Sequence, residues 1–184
     1  VDKKICKAKI VSIFYDLIPL LNPKDYLDPN PKFSSFYSQK LNEIRELDGL
    51  LTISQSSSDE IKDFLKFDQS KVINISSGCD KSIFNKTRLE HNKNLFKKPF
   101  ILYTGAGDPR KNLKRLIQAS CLLPASIKEA YQLILVGKLL DYENELIDSW
   151  ITKYNLDPNF VVKKGYVDDK DLANLYRGCD LFIF

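Results

Sequence analysis

Pro99-Phe-Ile-Leu-Tyr-Thr-Gly-Ala-Gly-Asp-Pro-Arg-Lys-Asn112 is the stretch from which the fold is read. Its first six residues are apolar and compact, as in a buried strand. Gly105 and Gly107 break the run. Asp108 followed by Pro109 then has the chemistry of an N-cap and first helical residue, because Asp can accept an orphan N–H and Pro lacks one. The spacing predicts a helix over Asp108–Leu123 with Leu113, Leu116, Ile117 and Leu123 on one face. Downstream the grammar repeats. Strands are expected at Tyr131–Val136, Phe160–Lys163 and Asp180–Phe184. Helices are expected at Asp141–Tyr154, facing inward through Leu146, Ile147 and Trp150, and at Asp169–Gly178, through Leu172, Leu175 and Tyr176. Four strands alternating with three helices predict βαβ units and a parallel sheet. Near-continuous apolar strands fit a sheet covered on both faces.

Upstream, strands are expected at Lys9–Phe14, Gly49–Ser54 and Lys71–Ile75. Residues 20–32 are Pro-rich and read as a loop. Phe33–Leu47 reads as a helix with Phe36, Lys40, Leu41, Ile44 and Leu47 in one stripe. Ser57-Ser-Asp-Glu60 has capping-box spacing, and would open a helix with Ile61, Phe64 and Leu65 inward. Residues 79–98 are polar and aperiodic and read as a linker. The expected organisation is α/β throughout: a partial domain in 1–78, the linker 79–98, and most of a second domain in 99–184.

Composition excludes several classes. The chain has 184 residues, 43% hydrophobic and 28% charged, with 11 Phe and 9 Tyr, so it has core material that a disordered tail lacks. No run approaches the roughly 18 apolar residues of a membrane span. Lysines interrupt the opening segment, so it is no signal peptide. With no Met, a fragment or processed chain is expected. The net charge of +4 is too mild for a histone-like binder, and no nucleic-acid partner is expected. It is uneven: residues 1–98 carry 17 Lys and Arg against 13 Asp and Glu, and residues 99–184 carry 11 of each. A Lys-rich solvated face accounts for the excess, and an anionic acceptor or surface would exploit it. Cys6, Cys79, Cys121 and Cys179 are scattered and His91 is the sole histidine, so no zinc site or His-based catalytic triad is expected. The cysteines read as buried reduced thiols of a cytoplasmic protein.

In parallel α/β sheets ligands bind at the carboxyl ends of the strands. There the expected helix start places Arg110 and Lys111 in a first turn, where cations oppose the macrodipole by about 0.3–1 kcal/mol each. A bound anion would relieve that conflict, and Gly105 and Gly107 would let it approach the main chain. Plain solvation of both cations is the alternative; their place at a strand's carboxyl end favours the anion. Arg110 stands where a third glycine of Gly-x-Gly-x-x-Gly would be, and no Gly-Lys-Ser/Thr follows Gly107, so neither a dinucleotide fingerprint nor a P-loop is present. Gly137 with Lys138, and Gly165 with Tyr166 and Val167, follow the next two strands.

Several segments resemble the retaining GT-B glycosyltransferases of the large mannosyl/glucosyltransferase family, group 1. Tyr15-Asp-Leu-Ile-Pro19, Leu50-Leu-Thr-Ile-Ser54 and Val72-Ile-Asn-Ile-Ser-Ser-Gly-Cys-Asp80 are similar to its acceptor half. Tyr103-Thr-Gly-Ala-Gly-Asp-Pro-Arg-Lys-Asn-Leu113, Leu133-Ile-Leu-Val-Gly137 and Gly165–Phe184 are similar to its nucleotide-sugar half. The resemblance implies a partial N-terminal and a nearly complete C-terminal Rossmann-like domain, as an internal fragment. It implies that Lys111, with Gly105 nearby, holds a donor diphosphate, and that Gly165–Val167 lines the base. Tyr15 replaces a family histidine, whereas Asp16 remains. The family's Pro-Ser and Glu-x7-Glu segments would follow Phe184.

The implied reaction moves a hexose from a nucleoside diphosphate sugar to a glycan or lipid-linked acceptor with retention of configuration. Lys111 and Arg110 would stabilise the departing diphosphate without a metal, and no other cofactor is called for. Gly137, Lys138, Tyr166 and Val167 complete the expected substrate-binding set. Asp16 is the candidate for engaging the acceptor hydroxyl or the sugar, and its position before Pro19 equally fits a turn cap. A nucleotide-sugar epimerase and a non-catalytic nucleotide-binding fragment remain the alternatives. A lipid-linked acceptor would allow a peripheral contact with the inner face of a membrane.

Overall fold

The computed structural model describes residues 8–85, 96, 98–105 and 109–184. The chain divides into two compact units, Val1–Cys79 and Asp80–Phe184.

The first unit contains β1 (Val11–Phe14), α1 (Ile18–Leu21), α2 (Pro23–Tyr26), α3 (Pro31–Arg45), β2 (Gly49–Thr52), α4 (Gln55–Glu60) and β3 (Val72–Asn74). Its parallel sheet has the order β1-β2-β3, with Ile13, Leu51 and Ile73 in register. Phe14 and Leu50 point to one face, where Leu17, Ile61, Leu65 and Phe67 close a core. Val11, Ile13 and Ile73 are exposed on the other. The Pro-rich stretch expected to be a loop winds into α1 and α2, because Pro19 and Pro23 sit at early helical positions where a missing N–H costs nothing. α3 starts two residues earlier than expected. Asn30 caps it, its side-chain oxygen accepting from Phe33 N–H at 3.0 Å, and Pro31 follows. The expected capping box is also displaced: Ser54, not Ser57, is the N-cap of α4, accepting from Ser57 N–H at 3.1 Å. A π-helical turn, Ile61–Leu65, continues α4 and ends at Lys66 in the left-handed conformation.

The second unit contains β4 (Phe100–Thr104), α5 (Leu113–Cys121), α6 (Ala125–Ala130), β5 (Gln132–Val136), α7 (Asp141–Lys153), β6 (Val161–Gly165), α8 (Asp169–Gly178) and β7 (Leu181–Ile183). All pairings are parallel and the order is β6-β5-β4-β7. Central strand β4 is buried on both faces. Ile101 and Tyr103 pack among Leu113, Ile117, Ile147 and Ile151, while Phe100 and Leu102 pack with Ile134 and Leu175. Leu146, expected inward on α7, is exposed, and Ile151 takes the buried position. α6, unforeseen, fills part of the α5–β5 connection.

Residues 80–85, within the expected linker, form a turn fastened to α8. The Arg177 guanidinium donates to the Ile83 carbonyl at 2.5 Å and to the Asn85 carbonyl at 3.3 Å. The rest of that linker through 95, with residue 97, lies outside the described residues, as do His91 and Cys6. The cysteines are less buried than expected: Cys79 is exposed, and Cys121 and Cys179 are intermediate.

Candidate active site

The sheet of the second unit has one place where the chain's progression reverses. β5 and β6 lie on one side of β4, and β7 on the other. Helices from the two sides leave the sheet in opposite senses there, which opens a crevice at the strands' carboxyl ends. Gly105 leaves β4 at this point.

The helix expected from Asp108 begins only at Leu113, and Asp108, with Ala106 and Gly107, lies outside the described residues. Pro109–Lys111 instead form a 3-10 turn. Asn112 separates the turn from α5 in the left-handed conformation (φ 53°), which Asn tolerates better than most residues. Its carbonyl accepts from the N–H groups of Arg115 and Leu116 at 3.0 and 3.2 Å. Arg110 and Lys111 therefore precede the helix rather than occupying its first turn.

Lys111 returns to the end of β4. Its stem lies so close to Gly105 that a Cβ there would meet Lys111 Cγ at 2.9 Å. Its ammonium stands 3.5 Å from the ring centre of Phe184, directly after β7. The stem is thus anchored at one strand of the reversal and the charge lies at the other. Also at this edge, the hydroxyls of Thr104 and Tyr176 are 3.2 Å apart, and Tyr176 packs edge-on against Phe182.

Backbone hydrogen bonds join the carboxyl ends of three adjacent strands at their glycines. Gly105 N–H donates to the Val136 carbonyl at 3.2 Å, and Gly137 N–H to the Gly165 carbonyl at 2.9 Å. Gly105, Gly137 and their neighbours thus form one continuous rim. Lys138 and Tyr166 project from it exposed, while Val167 packs into the cluster around Leu102 and Leu175. Arg110 is exposed.

In the first unit, Asp16 follows β1. Its Oδ1 accepts from Ile18 N–H at 3.0 Å, so the turn-capping reading is realised. α4 holds the same turn: Glu60 Oε2 accepts from Leu17 N–H at 2.7 Å, and the Ser57 hydroxyl donates to the Tyr15 carbonyl. Sequence reading assigned Ser57 and Glu60 to a helix cap and so missed this connection. Only the closeness of both to a strand end could have hinted at it. From α3, the phenol oxygen of Tyr37 is buried and makes no hydrogen bond of ordinary geometry among the described residues. Burial first, then the Asp16 carboxylate, pushes its pKa up. No helix among the described residues is long and apolar enough to cross a membrane.

Residues 84–184 match the family model described as "Glycosyl transferases group 1". The chain is 35% identical over 182 residues to the serotype-specific mannosyltransferase WbdA of Escherichia coli, covering 96% of this chain and 22% of that protein. It is 26% identical over 187 residues to the E. coli O-antigen chain mannosyltransferase B, covering 96% of this chain and 46% of the relative. The chain thus spans between about a fifth and a half of these relatives. Among solved structures it superimposes on Anabaena Alr3699/HepE in complex with UDP and glucose, with a TM-score of 0.72 at 19% identity, over 98% of this chain and 47% of that one.

Proposed function

Because the chain belongs to the group 1 glycosyl transferases and has their GT-B type of α/β fold, we propose that the protein moves a hexose from a nucleoside diphosphate sugar to a glycan or lipid-linked acceptor. The relatives are named mannosyltransferases, which favours mannose. The Anabaena structure holds UDP, which favours a nucleoside diphosphate as the donor's handle. The observation that carries the reading is the placement of Lys111 across the β4/β7 reversal, its stem seated on Gly105.

Chemically, breaking the sugar–phosphate bond leaves a diphosphate whose charge grows in the transition state. An ammonium fixed beside it stabilises that state more than the ground state and so speeds the step. Lys111 does this, with Arg110 adding positive potential. Gly105, lacking a side chain, lets the Lys111 stem lie against the end of β4 and so sets where its ammonium meets the diphosphate, and the rim of Gly137, Lys138, Tyr166 and Val167 borders the nucleotide. Stabilisation by these cations needs no metal, and the reaction retains the anomeric configuration. In the first unit, Asp16 offers its second carboxylate oxygen to a hydroxyl of the acceptor or the sugar.

Incubating the protein with GDP- or UDP-hexose, with and without a glycan acceptor, tests the reading. Glycoside formed only with acceptor is the expected result. An isomerised nucleotide sugar without acceptor would instead identify an epimerase, and binding without turnover a nucleotide-binding module.

A further inference from the structure

We propose that Ser57 and Glu60 are positioning residues for Asp16, a proposal that rests on Asp16 engaging the acceptor or sugar. α4 starts at the carboxyl end of β2, where Ser54 caps it. From there it reaches back to the turn after β1. Its two contacts fall on either side of Asp16: the Ser57 hydroxyl holds the carbonyl of Tyr15, and the Glu60 carboxylate holds the N–H of Leu17 at 2.7 Å. These bonds link residues 42 and 43 positions apart, so they are tertiary rather than local. They pin the two peptide groups that flank Asp16, and with them its backbone angles. The bond from Ile18 N–H to Asp16 Oδ1 fixes the side chain itself.

The clamp is built from groups that are hard to displace. Ser57 is 3% exposed, and its hydroxyl also lies 2.9 Å from that of Ser54. Behind it, the buried hydroxyls of Thr52 and Ser58 pair at 2.6 Å. Glu60 commits a carboxylate oxygen to one backbone N–H, a charge-assisted bond stronger than a neutral one. The result is a carboxylate with one oxygen anchored and the other without a hydrogen bond among the described residues, on a turn held from both sides. A reacting or binding carboxylate needs such fixation, because a displacement of about 1 Å can cost about 100-fold in rate.

The test is a double-mutant cycle on hexose transfer, with nucleoside diphosphate affinity and Tm measured alongside. Glu60→Ala is expected to lower kcat about 10- to 100-fold, with nucleoside diphosphate Kd unchanged. Glu60→Gln, whose amide oxygen still accepts from Leu17 N–H, recovers most of that loss. In an Asp16→Ala background Glu60→Ala costs nothing more, because its effect acts through Asp16. A loss that multiplies in that background, or one that Gln does not relieve, overturns the proposal and assigns Glu60 to scaffold stability. No effect of Asp16→Ala alone overturns it together with the role of Asp16. Should Glu60→Ala fail to fold, Ser57→Ala, which loses the bond to the Tyr15 carbonyl, takes its place in the cycle and is read against the same additivity outcomes.

Discussion

Gly105→Ala perturbs the proposed donor site through two separable effects. The first is conformational. Gly105 has φ +146°, a region L side chains rarely adopt. Holding a residue with a Cβ there costs about 1–3 kcal/mol. The second is steric. The new methyl would meet Lys111 Cγ at 2.9 Å and Cβ and Cδ at 3.4 Å. These are the carbons nearest the Lys111 backbone, so relief requires a new rotamer or a shift of the 3-10 turn. Either moves the ammonium. Two glycines isolate the contributions. Gly165 has φ +76° with nothing near its Cβ position, so Gly165→Ala reports conformational cost alone. Gly78 has neither constraint, and Gly78→Ala should stay within about 0.5 kcal/mol of the parent. For a cooperative unit of this size each kcal/mol lowers Tm by about 4–8 °C. Differential scanning calorimetry should therefore place Gly105→Ala lowest, Gly165→Ala between, and Gly78→Ala beside the parent. Isothermal titration should show nucleoside diphosphate affinity weakened about tenfold in Gly105→Ala, or about 1.4 kcal/mol. That weakening should vanish in a Lys111→Ala background. Persistence of the full loss there would refute the claim that Gly105 acts by seating Lys111.

Other perturbations test the frame around the site. Arg177→Ala removes the bonds to the Ile83 and Asn85 carbonyls, and amide exchange across residues 80–85 should accelerate with little change in β4. Thr52→Val removes the 2.6 Å partner of the buried Ser58 hydroxyl, which keeps its bond to the Ser54 carbonyl at 3.3 Å. It should cost about 0.5–1.5 kcal/mol in urea unfolding. The Asp80 carboxyl is held below the usual carboxylate range, first by the Ser82 hydroxyl and then by its N–H. Its folded pKa is lowered, so the turn it holds gains stability above the unfolded value. That gain disappears as pH falls through the lowered one. An NMR titration of Asp80 should show the depressed midpoint, and Ser82→Ala should move it upward.

The second unit was the more legible in sequence because its strands are unbroken apolar runs. Tyr131–Val136 could be little but a buried strand, and Asp169–Gly178 carries a clear amphipathic face. The first unit's helices were misplaced where local chemistry admits two answers. Pro19 and Pro23 look like loop residues until they are seen at helix starts. Ser54 and Ser57 are both competent caps; the one at the strand end caps α4, while Ser57 lies inside the helix and donates its hydroxyl to the Tyr15 carbonyl. The start of α5 was missed for a related reason. Asp108-Pro109 has N-cap chemistry, but Asn112 takes a left-handed conformation that interrupts the winding. Lys111 was nevertheless singled out, since a cation after a glycine at a strand end remains there whichever residue starts the helix. Its companion Phe184, the Arg177 fastening and the clamp on Asp16 are contacts between distant segments, which no local pattern encodes.

The direct test of the account is to titrate the parent and Lys111→Ala proteins with a nucleoside diphosphate and with the bare nucleoside. An ammonium on a diphosphate contributes about 1.5–3 kcal/mol. Leaving the face of Phe184 takes back about 0.5–1 kcal/mol of that. Losing Lys111 should therefore weaken diphosphate binding by about 2- to 70-fold, while nucleoside affinity stays where it was. Equal losses for both ligands, or none for either, would contradict the assignment of Lys111 to the donor phosphates.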